Sequence, residues 1–352
     1  MSGRRVAVLL GGRSSERNVS LASGQSVISG LCNAGHEPVP VEIDASGQWQ
    51  LSSVTAPSEL VGAATATPHD GTPVSASGWQ APPLPLGRHP LEGIDVVFPV
   101  LHGPFGEDGT IQGLLELLEI PYVGSGVAAS AIAMDKALFK AVAGAQGLPI
   151  ARSATFVAGR GEEVENPFSL PVVVKPARLG SSVGISVART AEDFMGAVKL
   201  ALAHDDKIIV EEFIDGTEVE CSVLGNDEPA ASAVGEIVVV GRDWYSYEAK
   251  YTEGGMNLIV PARIPADSAE AVRSIAVRAF QACDCRGMAR VDFFVRADGS
   301  VVLSELNTIP GFTATSVYAK LFKASGLDYP QLLDRLVGLA IERFEQRRAL
   351  RY

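Results

Sequence analysis

Positive charge, cysteine and long apolar runs are what this chain is short of. Its 352 residues carry 29 Lys and Arg against 41 Asp and Glu, a formal net charge of -12. That balance argues against a general nucleic-acid binder, whose affinity comes from basic side chains neutralising phosphates. Cysteine occurs four times, at Cys32, Cys221, Cys283 and Cys285, without the paired spacing of a zinc site. The Cys283-Asp284-Cys285 pair reads as reduced core thiol rather than disulfide. After Arg4-Arg5 only the apolar run Val6–Leu10 stands before Gly11-Gly12. It is too short for a signal peptide, and no stretch approaches a membrane span. The expectation is a cytoplasmic protein with no membrane partner.

What is there suits an α/β enzyme of two or three domains: 47% hydrophobic residues and 36 glycines. The stretch Val172–Gly184, VVVKPARLGSSVG, reads as a buried strand, a lysine at its end, and a loop of small residues. Lys175 supplies a point charge. Gly180–Gly184 supplies backbone N–H groups that can converge on a phosphate. The spacing is not that of the Walker loop, in which the lysine follows the last glycine, and a plain surface turn is the competing reading.

Upstream, Arg5–Leu10, Gly11-Gly12, a polar loop containing Glu16 and a helix from about Leu21 form the opening βα turn of a doubly wound sheet. Ligands gather at the carboxyl ends of such strands. Glu16 is equally readable as a helix-start carboxylate. Glu37–Ile43 is a second strand. Residues 45–90 are rich in Ala, Pro, Ser, Thr and Gly and read as a variable insertion, with a small hairpin around Trp49 and Trp79. Asp95–Leu101 is a strand running into His102-Gly103-Pro104-Phe105-Gly106-Glu107-Asp108. A histidine there before a carboxylate pair suggests a site, although Glu107 and Asp108 could simply start the next helix. Ile208–Phe213 is a buried strand ending in carboxylates, and Glu211 could accept a hydrogen bond from an adenine amine. Val219, Cys221 and Val223 alternate with Glu218, Glu220 and Ser222. In Tyr245–Tyr251, Lys250 and Tyr251 beside glycines read as a mobile lid with a phosphate-reaching lysine.

The metal argument rests on a hairpin. Asp298-Gly299 between two apolar runs is a strong turn signal. Counting outward from it as a two-residue turn pairs Asp292 with Glu305 and Arg290 with Asn307, all on one face. Carboxylates directly opposite each other repel, so a cation between them is the economical reading, and hard oxygen ligands suit Mg²⁺. The turn that follows, Thr308–Phe312, offers N–H groups for an oxyanion beside Arg290.

The segments GGRSSERNVSL, HGPFGEDGTIQG, MDKALFK, VVVKPARLGSSVG, YEAKY, RVDFF and ELNTIPGFTATS together resemble the D-alanine–D-alanine ligases of the ATP-grasp superfamily, over nearly the whole chain. The resemblance implies an α/β (α+β) ATP-grasp fold of three domains. These are residues 1–126, a doubly wound parallel sheet; 127–215, with the Gly/Ser flap; and 216–352, with the lid and metal site. The latter two clasp ATP. It implies that Lys136, Lys175, Glu211 and Glu218 surround the adenine, ribose and phosphates, that Ser181 and Ser182 form the flap, and that Lys250 reaches the phosphate. It implies Asp292, Glu305 and Asn307 as ligands of two Mg²⁺ (or Mn²⁺) ions. Glu16, His102, Arg290, Gly311 and Ser316 match positions that hold two D-alanines. Glu16, Ser181 and Tyr251 match a hydrogen-bonded triad over the substrate. Family members with tyrosine at the place of Tyr251 make D-Ala-D-Ala, and those with histidine make D-Ala-D-lactate. A cytoplasmic homodimer is the expected assembly. Pro104-Phe105 depart from the family's smaller or more polar loop. Another ligase of the superfamily, for L-amino acids or D-lactate, and a catalytically silent nucleotide-binding regulator are the competing readings.

Overall fold

The structure, a computed structural model, describes residues 3–51, 91–159, 164–239 and 256–351. The apolar run near the start becomes β1 (Arg5–Gly11). It lies between β2 (Glu37–Ile43) and β4 (Val96–Pro99), both parallel to it, and β3 (Trp49–Leu51) folds back antiparallel on β2. Successive side chains of a strand leave on opposite faces. Val6, Val8 and Leu10 therefore enter one core, and Ala7 and Leu9 enter another. Burial on both faces is why β1 reads as an unbroken apolar run. Because β3 is sheet, the stretch read as insertion from residue 45 starts with ordered structure; Trp79 lies outside the described residues.

Helix α1 (Arg17–Asn33) follows β1 and starts earlier than the sequence suggests. Its buried face is Ser20, Ser23, Gly24, Val27, Gly30 and Leu31, a face too small and polar to announce itself by apolar periodicity. Small residues let neighbours close in. A Cβ on Gly24 would sit 2.7 Å from Leu10 Cβ, nearer than two carbons can approach. On the other side of the sheet, α2 (Thr110–Leu117) buries Ile111 and Leu115 with Leu9 and Val97.

The second sheet has the order β5-β8-β6-β7, all antiparallel: β5 (Ser153–Val157), β6 (Val172–Pro176), β7 (Ser186–Ala188) and β8 (Lys207–Glu212). Val172, Val174, Ile208 and Val210 bury against α5 (Ala191–Leu202). The alternate residues, Val173, Lys175 and Glu211, face a cleft.

The third sheet has the order β11-β10-β9-β12-β13: β9 (Thr217–Gly225), β10 (Ala230–Val239), β11 (Met256–Ile259), β12 (Gly287–Val295) and β13 (Val301–Asn307). One face packs on α3 (Val127–Met134), α4 (Lys136–Ala145) and α6 (Ala266–Ala282), with Cys283 and Cys285 as free buried thiols in that core. The last helices, α7 (Val317–Ala324) and α8 (Tyr329–Arg348), pack back on the first sheet. Leu332, Leu333, Leu336 and Val337 share a core with Val6, Val8, Phe98 and Leu31. Among the described residues no helix is long and apolar enough to cross a membrane.

The β12–β13 hairpin pairs Arg290 with Asn307 and Asp292 with Glu305, as counting predicts. The turn itself differs. Gly299 N–H donates to Arg296 O, Arg296 N–H donates to Ser300 O, and Gly299 has φ +81°, which is a three-residue loop. Phe293 therefore faces Leu303, and a bulge at Ser304 restores the counted register one pair later.

Candidate active site

A cleft of about 480 Å³ lies between the second and third sheets. Its lining includes Lys175, Ser182, Glu211, Glu218 and Glu305. Lys175 Nζ lies 2.7 Å from Glu211 Oε2, and Lys140 Nζ lies 3.1 Å from Glu211 Oε1, all three buried. Burial alone would raise the Glu211 carboxyl, but the two ammonium groups outweigh it and hold it below the usual carboxylate range. Burial pushes Lys140 below its ordinary value, opposed by Glu211. The cleft floor is thus a carboxylate bracketed by two cations, fixed in direction.

Lys136 opens α4 behind an Asp135 cap whose carboxylate accepts from Ala137 and Leu138 N–H. Its Nζ donates to Leu179 O at 2.6 Å and lies 3.6 Å from Glu305 Oε2. It therefore ties the root of the Gly/Ser loop to the hairpin. Ser181 and Ser182 adopt φ +53° and +59°, left-handed values that cost a non-glycine residue roughly 1 kcal/mol or more each. Strain of this kind accumulates where a ligand dictates backbone shape.

A second group gathers at the carboxyl ends of β1, β4 and β13. Ser181 Oγ donates to Glu16 Oε1. His102 Nδ1 bonds Ile309 O at 3.0 Å; a carbonyl only accepts, so the proton sits on Nδ1 and Nε2 carries a lone pair. Nε2 is buried and meets no partner among the described residues. Burial lowers the His102 pKa, with Glu16 opposing, so the ring stays neutral and Nε2 stays an acceptor. Arg290 stands on β12 with Nε 2.9 Å from Glu220 and with two 2.7 Å bonds to Asp292. The Gly311 N–H has no partner among the described residues. A Cβ on Gly311 would lie 3.5 Å from Ser316 Oγ, so the two residues are neighbours. Acceptors (Glu16, His102 Nε2) suit an ammonium, and donors (Arg290, Gly311 N–H) suit a carbonyl or carboxylate oxygen.

Asp292 and Glu305 face each other across the hairpin, and Asn307 Nδ2 lies 3.1 Å from Asp292 Oδ2. Two carboxylates in register plus one amide oxygen, beside the cleft, are a donor set that fits a hard divalent cation. The structure thus brings together Glu16 with Ser181, Lys175 with Glu211, and Arg290, Asp292, Glu305 and Asn307 on one hairpin, with Ser182 and Glu218 in the cleft wall. Lys250 and Tyr251 lie outside the described residues.

Lys140 and Glu220 escape the sequence reading, and Glu107 stands open there between a site and a helix start. Lys140 stands four positions after Lys136, and that helical spacing could have signalled it. Glu220, 1% exposed, faces Asp292 across β9 and β12, a pairing between distant segments that no local count reaches. Glu107, readable as a helix start, accepts from Gly103 N–H at 2.9 Å. Burial, reinforced by the Glu16 carboxylate, pushes it up to about 8.

Models of two halves match the chain: the D-ala D-ala ligase N-terminus over residues 5–125 and the D-ala D-ala ligase C-terminus over residues 145–338. A D-alanine–D-alanine ligase of Geobacillus kaustophilus is 43% identical, covering 99% of this chain and 97% of its own. One from Caldicellulosiruptor bescii is 42% identical over 100% and 99%. The solved D-alanine-D-alanine ligase of Coxiella burnetii superposes with a TM-score of 0.81 at 34% identity, covering 99% of this chain and 97% of that one. The D-Ala:D-Ser ligase VanG of Enterococcus faecalis gives 0.79 at 35%, over 96% and 100%.

Proposed function

We infer the chemistry from one premise: the chain belongs to the D-alanine–D-alanine ligase family. It is an ATP-grasp enzyme that joins two D-alanines into D-alanyl-D-alanine with conversion of ATP to ADP and phosphate, a step of peptidoglycan precursor synthesis. The observation that carries its site-level reading is His102 with Glu16 and Arg290 close enough to act on it, Glu16 being bonded to Ser181 of the loop over a cleft floored by Lys175 and Glu211.

In this proposal the nucleotide lies in the cleft. Glu211, held ionised by Lys140 and Lys175, accepts from the adenine amine, and Glu218 takes the ribose. Lys136, Lys175 and the lid lysine Lys250 meet the phosphates, and the loop of Ser181 and Ser182 covers them. Glu16 and His102 hold the ammonium of the first D-alanine, whose carboxylate attacks the γ-phosphorus. The bond to ADP breaks and an acyl phosphate forms. The neutral amine of the second D-alanine, oriented with the help of Ser316, attacks the acyl carbon. Arg290 and the Gly311 N–H stabilise the oxygen that becomes negative. Phosphate leaves, the nitrogen gives up a proton, and the amide remains. Closure of the flap and of the lid bearing Tyr251 keeps water from the acyl phosphate. Asp292, Glu305 and Asn307 fit two Mg²⁺ (or Mn²⁺) ions, which when bound supply positive charge against the phosphate oxygens.

We further propose a cytoplasmic homodimer, and three domains divided near residues 126 and 215. The test is ATP-dependent phosphate release with D-alanine, L-alanine, D-serine and D-lactate, singly and in pairs. D-Alanine alone should suffice, because it serves as both substrates. D-Serine is included because a neighbour of similar fold is named for it. Absence of D-alanine-dependent release overturns the reading, and nucleotide binding without turnover favours a silent regulator.

A further inference from the structure

The loop from Gly311 to Ser316 supplies two of the groups proposed for substrate, yet it belongs to neither β13 nor α7. Its internal bonds all involve Thr313: its N–H donates to Ser316 Oγ at 3.0 Å, its carbonyl accepts from Ser316 N–H at 3.0 Å, and its Oγ1 lies 2.8 Å from Ser316 Oγ and 3.1 Å from Thr315 Oγ1. What fixes it comes from elsewhere. Phe312 N–H donates to Ser23 Oγ at 3.3 Å, and Ala314 N–H donates to Ser26 Oγ at 3.0 Å, both on α1. From the first turn of α8, Tyr329 donates its hydroxyl to Phe312 O at 2.7 Å. Tyr329 thus grips the carbonyl of Phe312, and Ser26 the N–H of Ala314. The Phe312 ring is fully buried between Phe98, Tyr318 and Tyr329, with centroids 5.6, 5.3 and 5.9 Å away. Tyr329 is itself held: a Cβ on Gly30 of α1 would lie 2.8 Å from its ring. Only glycine leaves that notch.

We propose that Tyr329, acting with Ser26, is a positioning residue of the ligation. It sets where the Gly311 N–H and Ser316 stand relative to Arg290, and so governs use of D-alanine while leaving nucleotide binding alone. This rests on the reading of Gly311 and Ser316 as substrate-side groups. The physical case is the distance between functions. None of Ser26, Phe312 and Tyr329 lines the nucleotide cleft. A shift of an ångström in an oxyanion donor is costly to a rate, and none of the loop's internal bonds reaches Gly311 or Phe312 to resist one. The aromatic packing fixes the ring of Phe312; the Ser23 and Tyr329 hydroxyls fix the peptides on either side of it, next to Gly311.

The test uses the full-length enzyme and compares wild type, Tyr329→Phe, Ser26→Ala and the double variant, with Ser29→Ala on the exposed side of α1 as a control. Wild-type D-alanine-dependent phosphate release is recorded first, and its absence would indict the functional reading rather than this one. Tyr329→Phe keeps the ring and its packing and deletes only the hydroxyl. The loss expected is that of a buried hydrogen bond, about 5–10-fold, in kcat/KM for D-alanine. The ATP KM should stay within twofold of wild type and the melting temperature should be nearly unchanged. Because each hydroxyl holds its own backbone group of the loop, the double variant should lose more than either single one. Ser29→Ala should behave as wild type. Wild-type D-alanine kinetics in both single variants, or equal losses for ATP and D-alanine that track a lowered melting temperature, would overturn the proposal.

Discussion

At the scale of single residues the site is governed by charges kept in or out of balance. Glu211 carries two buried ammonium neighbours, and removal of the middle member differs from removal of an end. Glu211→Ala would strand Lys140 and Lys175 without a counter-charge, at a cost of about 3–5 kcal/mol in urea-unfolding stability. Lys140→Met leaves the Lys175–Glu211 pair intact and should change stability by no more than about 1 kcal/mol. Equal costs would mean that Lys140 does not share the Glu211 charge. Glu107 behaves oppositely. With its carboxyl pushed up to about 8 from an ordinary 4.5, the folded protein holds a proton there through neutral pH, which the unfolded chain releases. The stability this gives is complete below pH 4.5 and is lost as the pH rises towards 8. Glu107→Gln keeps the acceptor for the Gly103 N–H and removes that loss. In nucleotide-free protein with EDTA, its gain in melting temperature over wild type should therefore be larger at pH 8 than at pH 5. Identical gains at both would place no proton on Glu107.

At the scale of elements, the β12–β13 hairpin shows how a site can be read correctly through a faulty count. The turn holds one residue more than Asp298-Gly299 suggests, and the bulge at Ser304 absorbs it, so Asp292 still meets Glu305. A bulge sets two neighbouring side chains toward one face, and Ser304 and Glu305 both line the cleft. If this pairing holds the cation, Asn307→Ala should raise the Mg²⁺ concentration for half-maximal activity roughly 10-fold or more with the fold intact by circular dichroism. Unchanged Mg²⁺ dependence would remove Asn307 from the ligands. Legibility followed range. The strands at Arg5 and Val172 and the hairpin partners are local patterns, and the sequence displays them. Helix α1 was half hidden because its buried face is serine and glycine rather than leucine. Glu220 and Ser26 were hidden because what makes them matter is a neighbour some 70 or more positions away, Arg290 for one and Ala314 for the other, and periodicity carries no information about that.

At the scale of the molecule, the first sheet is closed by the end of the chain. Val6, Val8 and Phe98 share their core with Leu332, Leu333, Leu336 and Val337 of α8, and with Tyr318 and Phe322 of α7. Arg343, also on α8, donates to Gly124 O at 2.5 Å and stacks over Tyr122 at 4.2 Å. A chain ended after Gly326 should bare the β1–β4 face and partition into the insoluble fraction, because each of those leucines is worth about 1.5–3 kcal/mol when fully buried. A soluble, active truncation would refute the shared core. The same arrangement has a consequence for the order of events on the ribosome. Strand β1 is made long before α8 and waits for its cover until α8 clears the exit tunnel. Through most of synthesis one side of that nascent sheet stays bare, a target for chaperones that hold exposed apolar surface. The loop bearing Gly311 gains its Tyr329 anchor only once α8 has emerged, so ligase activity should not appear on nascent chains that lack it.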